Sequence, residues 1–345
     1  MPFFSARPSS AFGIRSKRGI LPFLTRQVIT KGYTAAGYAN GVAWRNVNSN
    51  NHATDVATNL GDLLQAAANY TSGAHNRTNA FLWGTNGTGT EGVGTFTNTS
   101  VFNMRNDTTQ TKTAAMNTAN TVGDSGTMLA TDIDGNYTYS YQNGNQGAAQ
   151  FQRFNLVTEA HSSVTNTSFD QAGTGASAHF SENFGYFWGE GAAASADANA
   201  NGKRKLTFAT ETESTPSFNP GWHGQQKGLP SKIGEGYAAN EGGYDSGNNF
   251  RVTNYTTETV VTTVAKPIQN SGEENYIMGQ TKGYMLGMYG APGPTQNNRS
   301  FLFTYATRTG SELSASGQPT GTATGTGSPG GNISGRSSGH GFWRD

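Results

Sequence analysis

The stretch that decides the fold is Gly283-Tyr-Met-Leu-Gly-Met-Tyr289, followed after a short gap by Phe301-Leu-Phe-Thr-Tyr-Ala-Thr307. The pattern predicts two strands that are joined by a loop rich in Gly and Pro. In the second stretch Phe301, Phe303 and Tyr305 alternate with smaller or polar residues, which is the two-residue period of a strand with one buried face. The rest of the chain can be aligned to this pair of strands.

The pair of strands recurs about every fifty residues. Blocks similar to Tyr305-Ala-Thr-Arg308 begin at Val56, Met104, Leu156, Phe208, Tyr255 and Tyr305, with steps of 48, 52, 52, 47 and 50 residues. Pairs similar to Gly283-Tyr284 occur at Gly32-Tyr33, Ala80-Phe81, Thr127-Met128, Gly185-Tyr186, Gly236-Tyr237 and Gly283-Tyr284, with steps of 48, 47, 58, 51 and 47 residues. Two motifs that recur together at similar spacing in six copies indicate an internal repeat.

A period of about 40–50 residues with four strands in each unit is typical of β-propeller blades. One small sheet cannot bury both of its faces, so such units must stack around an axis. We therefore predict an all-β chain: a β-propeller of six blades of about 50 residues, with an extended N-terminal arm. The alternative is a series of Gly-rich hairpins in a β-sandwich or β-solenoid, which does not require one strand pair at constant spacing.

The repeat also gives the expected domain boundaries. The arm covers residues 1–30 and the propeller residues 31–345, with repeats near 31–77, 78–124, 125–181, 182–232, 233–280 and 281–345. After a tail of small residues, the segment Gly341-Phe-Trp-Arg-Asp345 restarts the Gly-aromatic motif. We expect either this terminal segment or the strand at Gly32 to complete a shared blade.

Composition excludes several classes of protein. Of 345 residues 47 are Gly, none is Cys, and only 13% are charged, with a net charge of +1. A near-neutral chain is not expected to bind nucleic acid in general, and without Cys there are neither disulfides nor thiolate metal ligands. No apolar run approaches the length of a membrane-spanning helix. The aromatic fraction of 11% gives each predicted blade several large side chains to bury.

Residues 1–30 have a different composition from the repeats. Their aromatic and basic residues are Phe3, Phe4, Arg7, Arg15, Lys17, Arg18 and Arg26. The charges lie on both sides of an apolar run that Pro22 interrupts, which is not the pattern of a secretory signal. A basic, aromatic arm ahead of a propeller favours a peptide that docks on a partner, and the alternative is a disordered tail.

The chain shows no legible catalytic or metal site. The six His residues have no metal-ligand spacing, and Gly87-Thr-Gly-Thr-Glu-Gly92 lacks the following helix of a dinucleotide fingerprint. Glu159, Glu211 and Glu258 recur at one position of the repeat, as a fold determinant does, whereas a catalytic carboxylate usually occurs once. We therefore predict a protein that is not an enzyme and has no cofactor or metal.

The blocks Lys282-Gly-Tyr-Met-Leu-Gly-Met-Tyr, Phe303-Thr-Tyr-Ala-Thr and Lys205-Leu-Thr-Phe-Ala-Thr-Glu-Thr212 resemble a degenerate repeat of tailed-phage structural proteins, especially of cyanobacterial and marine phages. Proteins with this repeat are similar to kelch-type propellers. The resemblance covers residues 31–309 and is clearest in the last three repeats. It implies repeat determinants at Gly32, Tyr33, Gly185, Tyr186, Gly236, Tyr237, Gly283, Tyr284, Phe208, Tyr255 and Tyr305.

The resemblance implies a virion protein: a tail or neck fibre, a collar, or a subunit that decorates the capsid. Its arm would bind other virion proteins of the capsid, neck or tail, and its exposed propeller would take part in host attachment. Trp44, Trp222 and Tyr289 are candidates for stacking on host glycans, although such rings are more often part of a core. The alternative is a free, lectin-like propeller that binds carbohydrate without an assembly role.

Overall fold

The computed structural model describes residues 31–35, 38–39, 42–43, 46–63, 68–76, 78–86, 99–112, 128–131, 136–142, 150–166, 177–181, 183–188, 203–218, 229–232, 235–240, 249–265, 271–272, 275–278, 281–286, 289–290, 300–314 and 342–344. No helix occurs in these segments, including the described part of residues 54–68, where the leucine spacing is compatible with one. The predicted all-β class is thus confirmed.

The described segments form short strands. In chain order they are β1 (Lys31–Ala35), β2 (Tyr38–Ala39), β3 (Val42–Ala43), β4 (Val47–Asn51), β5 (Val56–Gly61), β6 (Ala68–His75), β7 (Asn79–Asn86), β8 (Thr99–Asn103), β9 (Thr108–Lys112), β10 (Met128–Thr131), β11 (Tyr137–Gln142), β12 (Gln150–Asn155), β13 (His161–Asn166), β14 (Ser177–Phe180), β15 (Phe184–Trp188), β16 (Lys203–Thr207), β17 (Thr212–Ser214), β18 (Leu229–Lys232), β19 (Glu235–Asn240), β20 (Asn249–Asn254), β21 (Thr259–Ala265), β22 (Ser271–Gly272), β23 (Asn275–Met278), β24 (Lys282–Leu286), β25 (Tyr289–Gly290), β26 (Phe301–Thr304), β27 (Thr309–Glu312) and β28 (Phe342–Arg344).

These strands build six four-stranded antiparallel sheets. The first sheet has the order β28-β1-β4-β5, and the second to fifth sheets are β6–β9, β10–β13, β14–β17 and β18–β21, each in chain order. The sixth sheet has the order β23-β24-β26-β27, while β2-β3 and β22-β25 form two small ladders. Among the described strands, the second to sixth sheets are therefore meanders, and the first sheet takes its edge strand β28 from the far end of the chain.

The predicted strand pair is confirmed in the sixth sheet over residues 283–286 and 301–304, whereas Tyr289 lies in β25, outside this sheet. β24 pairs with β26 in the register Gly283 to Phe303, and Phe301 and Phe303 are buried while the residues between and after them are partly exposed. The second stretch is not a strand throughout, however. β26 ends at Thr304, and residues 305–308 form a turn.

A turn of this kind joins the third and fourth strands of every sheet, and we call it the corner turn. The last residue of each corner turn has a positive φ of 52–58°: Asp55, Asp107, Glu159, Glu211, Glu258 and Arg308. Local hydrogen bonds explain the shape, because the Asn51 side chain accepts from the Ala53 amide at 2.8 Å and the Asp55 amide donates to the Asn51 carbonyl oxygen at 2.8 Å. Asn103, Asn155 and Asn254 accept from their own turns in the same way.

Two positions of the predicted alignment are wrong. The first copy of the block is not Val56-Ala-Thr-Asn59, which lies in β5, but the corner turn 52–55, whose last residue Asp55 carries the positive φ. The third copy of the Gly-Tyr pair is not Thr127-Met128, since Met128 begins the first strand of its sheet. The equivalent residues are Thr138 and Tyr139 of β11, which pairs with β12 as β24 pairs with β26.

The first and last described strands pair in the first sheet. β28 pairs with β1 in the register Lys31 to Arg344, Gly32 to Trp343 and Tyr33 to Phe342. This confirms that the terminal segment and the strand at Gly32 share one sheet. It also explains an offset between repeat and sheet. The first strands of the second, fourth, fifth and sixth sheets lie at the end of the preceding repeat, whereas β10, the first strand of the third sheet, lies within the predicted repeat 125–181.

The sheets pack face to face through aromatic and aliphatic side chains. Tyr33 of the first sheet packs on Phe102 of the second at 5.2 Å between ring centroids, and Phe81 packs on Phe154 of the third at 5.6 Å. Tyr139 stacks on Phe208 of the fourth sheet at 5.3 Å. Further along the chain, Tyr186 stacks on Tyr255 at 4.5 Å and Phe250 packs on Phe303 at 5.8 Å. Each sheet therefore contacts its successor in the chain.

Candidate functional site

The repeated feature that gathers charged groups is a contact between neighbouring sheets, which we call the clasp. In a clasp the carboxylate at the end of one corner turn accepts hydrogen bonds from a Tyr hydroxyl and a basic side chain of the preceding sheet. The Tyr33 hydroxyl and the Lys31 ammonium lie 3.2 and 3.3 Å from the carboxylate of Asp107. The Tyr33 hydroxyl is also 2.9 Å from the Met104 carbonyl oxygen. The Tyr33 side chain thus holds both the Asp107 carboxylate and the backbone of the corner turn.

The basic residue of the clasp comes from either of two strands. Lys31 lies on the second strand of its sheet, whereas Arg153 and Lys205 lie on the third strands β12 and β16. Arg153 and Tyr139 bind Glu211, and Lys205 and Tyr186 bind Glu258. In both of these sheets an aromatic residue fills the place of Lys31, and the cation lies over its ring.

These cation–ring contacts are close. The Arg153 guanidinium is 5.1 Å from the centre of the Tyr137 ring, and the Lys205 ammonium is 3.7 Å from the centre of the Phe184 ring. Such contacts add to the stabilisation of a partly buried cation. These two clasps therefore have the same chemistry as that of Lys31, Tyr33 and Asp107, although their cations lie on a different strand.

The clasp between the fifth and sixth sheets is reversed in charge. Arg308 ends the corner turn of the sixth sheet, and its guanidinium donates at 2.8 Å to the carboxylate of Glu235 in the fifth sheet. Glu235 occupies the place that Lys31 and Lys282 have in their sheets, since it too precedes the Gly-Tyr pair. An ion pair is thus retained at this position with its partners exchanged.

The last clasp joins the sixth sheet to the first, and we call this interface the closing junction. The Tyr284 hydroxyl donates to Asp55 Oδ1 at 2.7 Å, and the Lys282 ammonium is 2.9 Å from both oxygens of that carboxylate. The ring of Tyr284 stacks on His52 at 4.8 Å. The succession of contacts that starts at the first sheet therefore returns to it.

In two clasps the surroundings keep the Tyr hydroxyl protonated. Burial, and after it the Glu258 carboxylate, raises the pKa of Tyr186 above its ordinary value of 10. Burial, and after it the hydrogen bond to Asp55, raises the pKa of Tyr284 in the same direction. A protonated hydroxyl donates to a carboxylate, whereas a phenolate beside it would be repelled. Tyr186 and Tyr284 therefore act as donors over the neutral and mildly alkaline range.

A glycine under the corner turn makes room for the first residue of that turn. A Cβ placed on Gly283 would lie 2.8 Å from the Tyr305 hydroxyl oxygen, and one on Gly236 would lie 2.6 Å from both Tyr255 Cε2 and His179 Nδ1. The sequence follows this geometry in every repeat. Where the second strand has glycine, the corner turn begins with an aromatic residue or His. Where that strand has Ala80 or Thr138, the turn begins with Met104 or Leu156, whose side chains are narrower than an aromatic ring.

The structure brings many of the predicted repeat determinants together at the interfaces between sheets. Tyr33, Tyr186, Tyr255, Tyr284 and Tyr305 are buried, and Gly236 and Gly283 lie under corner turns. Phe208 stacks on Tyr139. Gly32 pairs with Trp343, Gly185 with Leu206, and Tyr237 with Val252.

The predicted glycan and arm residues do not form a described site. Trp44, Trp222 and the arm residues Phe3, Phe4, Arg7, Arg15, Lys17, Arg18 and Arg26 lie outside the described residues. The backbone of Tyr289 lies in β25, where it pairs with Gly272.

The sequence reasoning missed the partners of the recurrent acids. It identified Glu211 and Glu258 as fold determinants but did not connect them to Tyr139, Tyr186 or Lys205 in the preceding sheets. One signal was present in the sequence: a basic residue stands either just before the Gly-Tyr pair or three residues before the corner turn. Reading those two positions together would have found the cations.

The described segments hold neither a metal-binding cluster nor a membrane-spanning helix. No group of three or more His, Asp or Glu side chains there is arranged to hold a metal ion. Those segments also include no helix that is long and apolar enough to cross a membrane.

No protein-family model matches the chain, and no curated protein matches it.

Proposed function

We propose that the six sheets surround one axis as a closed β-propeller of six blades. The observation that carries this proposal is a succession of contacts between neighbouring sheets. Clasps join the first sheet to the second, the third to the fourth, the fourth to the fifth and the fifth to the sixth, while Phe81 packs on Phe154 between the second and third. Through Tyr284 and Asp55 the sixth sheet contacts the first. The pairing of β28 with β1 supports it, because a strand from each chain end in one sheet ties the two ends of a ring together. Separate sheets of a sandwich would not need such a strand.

We further propose that the protein is a structural component of a tailed-phage virion and not an enzyme. The resemblance of the blocks at residues 205–212 and 282–307 to virion repeats supports this role. The clasps support it as well, because the recurrent carboxylates Asp55, Asp107, Glu211 and Glu258 bind Tyr and basic side chains and so serve the scaffold. Residues 1–30 would anchor the chain to capsid, neck or tail proteins, leaving the propeller exposed for host attachment.

Deletion of residues 1–30 tests the anchoring role. Full-length chain and the deleted chain are each supplied to assembling phage particles, and the purified particles are analysed by mass spectrometry. A matched variant with Arg15, Lys17 and Arg18 replaced by Gln retains the length of the arm and tests its charge. We expect the deleted chain to fold, as judged by circular dichroism, and to be absent from the particles. Incorporation of a folded, deleted chain at the wild-type level would contradict the proposal.

A binding measurement separates this role from that of a free lectin. The chain without residues 1–30 is applied to an array of bacterial surface glycans, and the full-length chain is tested beside it. Glycan binding by a chain that never occurs in particles would favour the lectin. Presence of the full-length chain in particles supports the virion role whether or not glycans bind.

A further inference from the structure

The closing junction differs in chemistry from the other interfaces between sheets. On the third strand of each sheet, the residue two positions before the corner turn faces the preceding sheet, as Phe102, Phe154 and Phe303 do. In the second to sixth sheets this residue is Phe102, Phe154, Leu206, Thr253 and Phe303. In the first sheet it is Asn50. An amide therefore stands in the closing junction where four of the five other sheets have a large apolar side chain.

Asn50 is buried, and its polar side-chain atoms have no hydrogen-bond partner among the described residues. The residue is 2% exposed, and neither its Oδ1 nor its Nδ2 has a hydrogen-bond partner in the described part of the chain. Thr34 is 1% exposed, and its Oγ1 likewise has none among those residues. Thr34 pairs with Asn48 across the sheet, so it lies on the same face as Asn50, which is two residues further along β4.

The partner face comes from the sixth sheet. His52 continues the same alternation of β4 and stacks on Tyr284, so this face of the first sheet is turned toward the sixth. Polar atoms that are removed from bulk water without a partner are costly, and internal water molecules commonly satisfy such groups by bonding to two to four of them. One amide and one hydroxyl group on the same face supply such a set of donors and acceptors.

We propose that ordered water is bound in the closing junction by Asn50 and Thr34, and that this junction opens more readily than the other interfaces between sheets. The inference rests on the closed ring proposed above. A hydrated interface forms fewer apolar contacts, so separating its faces exposes less apolar surface to water. The chain also passes from the sixth sheet to the first through residues 313–341, which is a longer connection than any other between successive described sheets.

Cysteine labelling measures how readily each junction opens, because the chain has no Cys of its own. Thr34→Cys places a thiol in the closing junction. Thr253→Cys is its matched control, since Thr253 is also fully buried and lies on the face of the fifth sheet where Tyr255 stacks on Tyr186 of the fourth. Both full-length variants are checked for folding by thermal denaturation and then reacted with a small aromatic disulfide reagent in native buffer.

We expect the thiol at position 34 to react about tenfold faster than that at position 253, and a ratio below about three would overturn the inference. A thiol at position 34 that reacts as fast as in denatured chain would contradict the closed ring as well. Slow and equal reaction of both thiols would leave the ring intact and contradict only the inference. The two failures are therefore distinguishable.

Two further measurements address the water. The first is the substitution Asn50→Leu in the Thr34→Cys chain. The fourth sheet has Leu206 at the equivalent position. We expect this substitution to slow the labelling of the thiol at position 34. An unchanged or faster rate in a folded variant would contradict a role for hydration. If this variant does not fold, a high-resolution crystal structure of the unaltered protein decides. Water within hydrogen-bond distance of Asn50 and Thr34 supports the inference, and apolar side chains packed against both groups would overturn it.

Discussion

The hydroxyl of Tyr305 lies over Gly283 so closely that a Cβ on the glycine would be 2.8 Å from the Tyr305 oxygen. The two residues belong to the sixth sheet, Gly283 on β24 and Tyr305 in the corner turn that follows β26. Gly283 itself pairs with Phe303. The glycine of the Gly-Tyr motif is therefore required by the space that its turn partner occupies.

This relationship predicts the outcome of a double-mutant cycle. Gly283→Ala should destabilise the protein by about 1–3 kcal/mol, because an added methyl group in a filled site forces its neighbours to move. Tyr305→Met in the same chain should recover part of that loss, since the second sheet combines Ala80 with Met104. Urea denaturation of the wild type, both single variants and the double variant gives the coupling. Additive effects of the two substitutions would show that Tyr305 is not what excludes the Cβ.

The reversed clasp predicts that its charges can be exchanged. Arg308→Glu or Glu235→Lys alone places like charges where the wild type has a 2.8 Å ion pair. Each single variant should be less stable by about 1 kcal/mol, a modest value because the pair is partly exposed. The double variant restores an ion pair in the orientation of the other clasps and should unfold near the wild-type midpoint. A double variant as unstable as the sum of the two single ones would rule out a direct pairing.

The tyrosines of the clasps predict a loss of stability in alkaline solution. The pKa values of Tyr186 and Tyr284 are raised on folding, so the folded state holds protons that the unfolded state releases from about pH 10 upward. Their contribution is complete below that pH and is lost as the pH rises toward the folded pKa, with a slope approaching about 1.4 kcal/mol per pH unit for each Tyr.

Replacing one tyrosine gives the control for this effect. Tyr284→Phe removes one titrating group. The second sheet already has a phenylalanine, Phe81, at the equivalent position. We expect the plot of unfolding free energy against pH to become shallower above pH 10 by up to about 1.4 kcal/mol per unit. An identical slope in wild type and variant would mean that Tyr284 does not titrate with folding.

The sequence predicted those features that depend on local pattern. The alternation of Phe301 and Phe303 predicts a strand with one buried face, and the structure has it. The first corner turn was misplaced because both residues 52–55 and 56–59 contain Ala-Thr followed by Asp or Asn. What distinguishes them is the contact of Asp55 with Tyr284, which is 229 positions away. No short window of sequence contains that information.

The third repeat was misread for a related reason. Its second strand has Thr138 in place of glycine, so a search for the Gly-Tyr pair passes over it. The glycine is dispensable there because the corner turn begins with Leu156 and not with an aromatic ring. The glycine position of the second strand and the first residue of the corner turn are in contact in the fold, so neither position alone identifies the repeat. The partners of the acids were missed likewise, because each clasp joins residues of different repeats.

The terminal strand predicts the effect of a truncation. Removing residues 340–345 deletes β28 and its pairing with β1, which should lower the melting temperature by several degrees, since each lost kcal/mol corresponds to roughly 2–4 °C in a chain of this size. Removing residue 345 alone is the control, because it leaves β28 in place. Equal melting temperatures for all three chains would contradict a structural role for the strand.

The measurement that tests the closed ring most directly is a double-mutant cycle between Tyr284 and Asp55. Tyr284→Phe removes the donor, and Asp55→Asn removes the charge while keeping a side chain that tolerates the positive φ of this position. A parallel cycle of Tyr284→Phe with Asp107→Asn is the control, since Asp107 belongs to the clasp between the first and second sheets. A closed ring predicts a coupling free energy of about 1 kcal/mol or more between Tyr284 and Asp55, and close to zero in the control. Additive effects of Tyr284→Phe and Asp55→Asn would contradict the contact between the sixth and first sheets, and with it the ring.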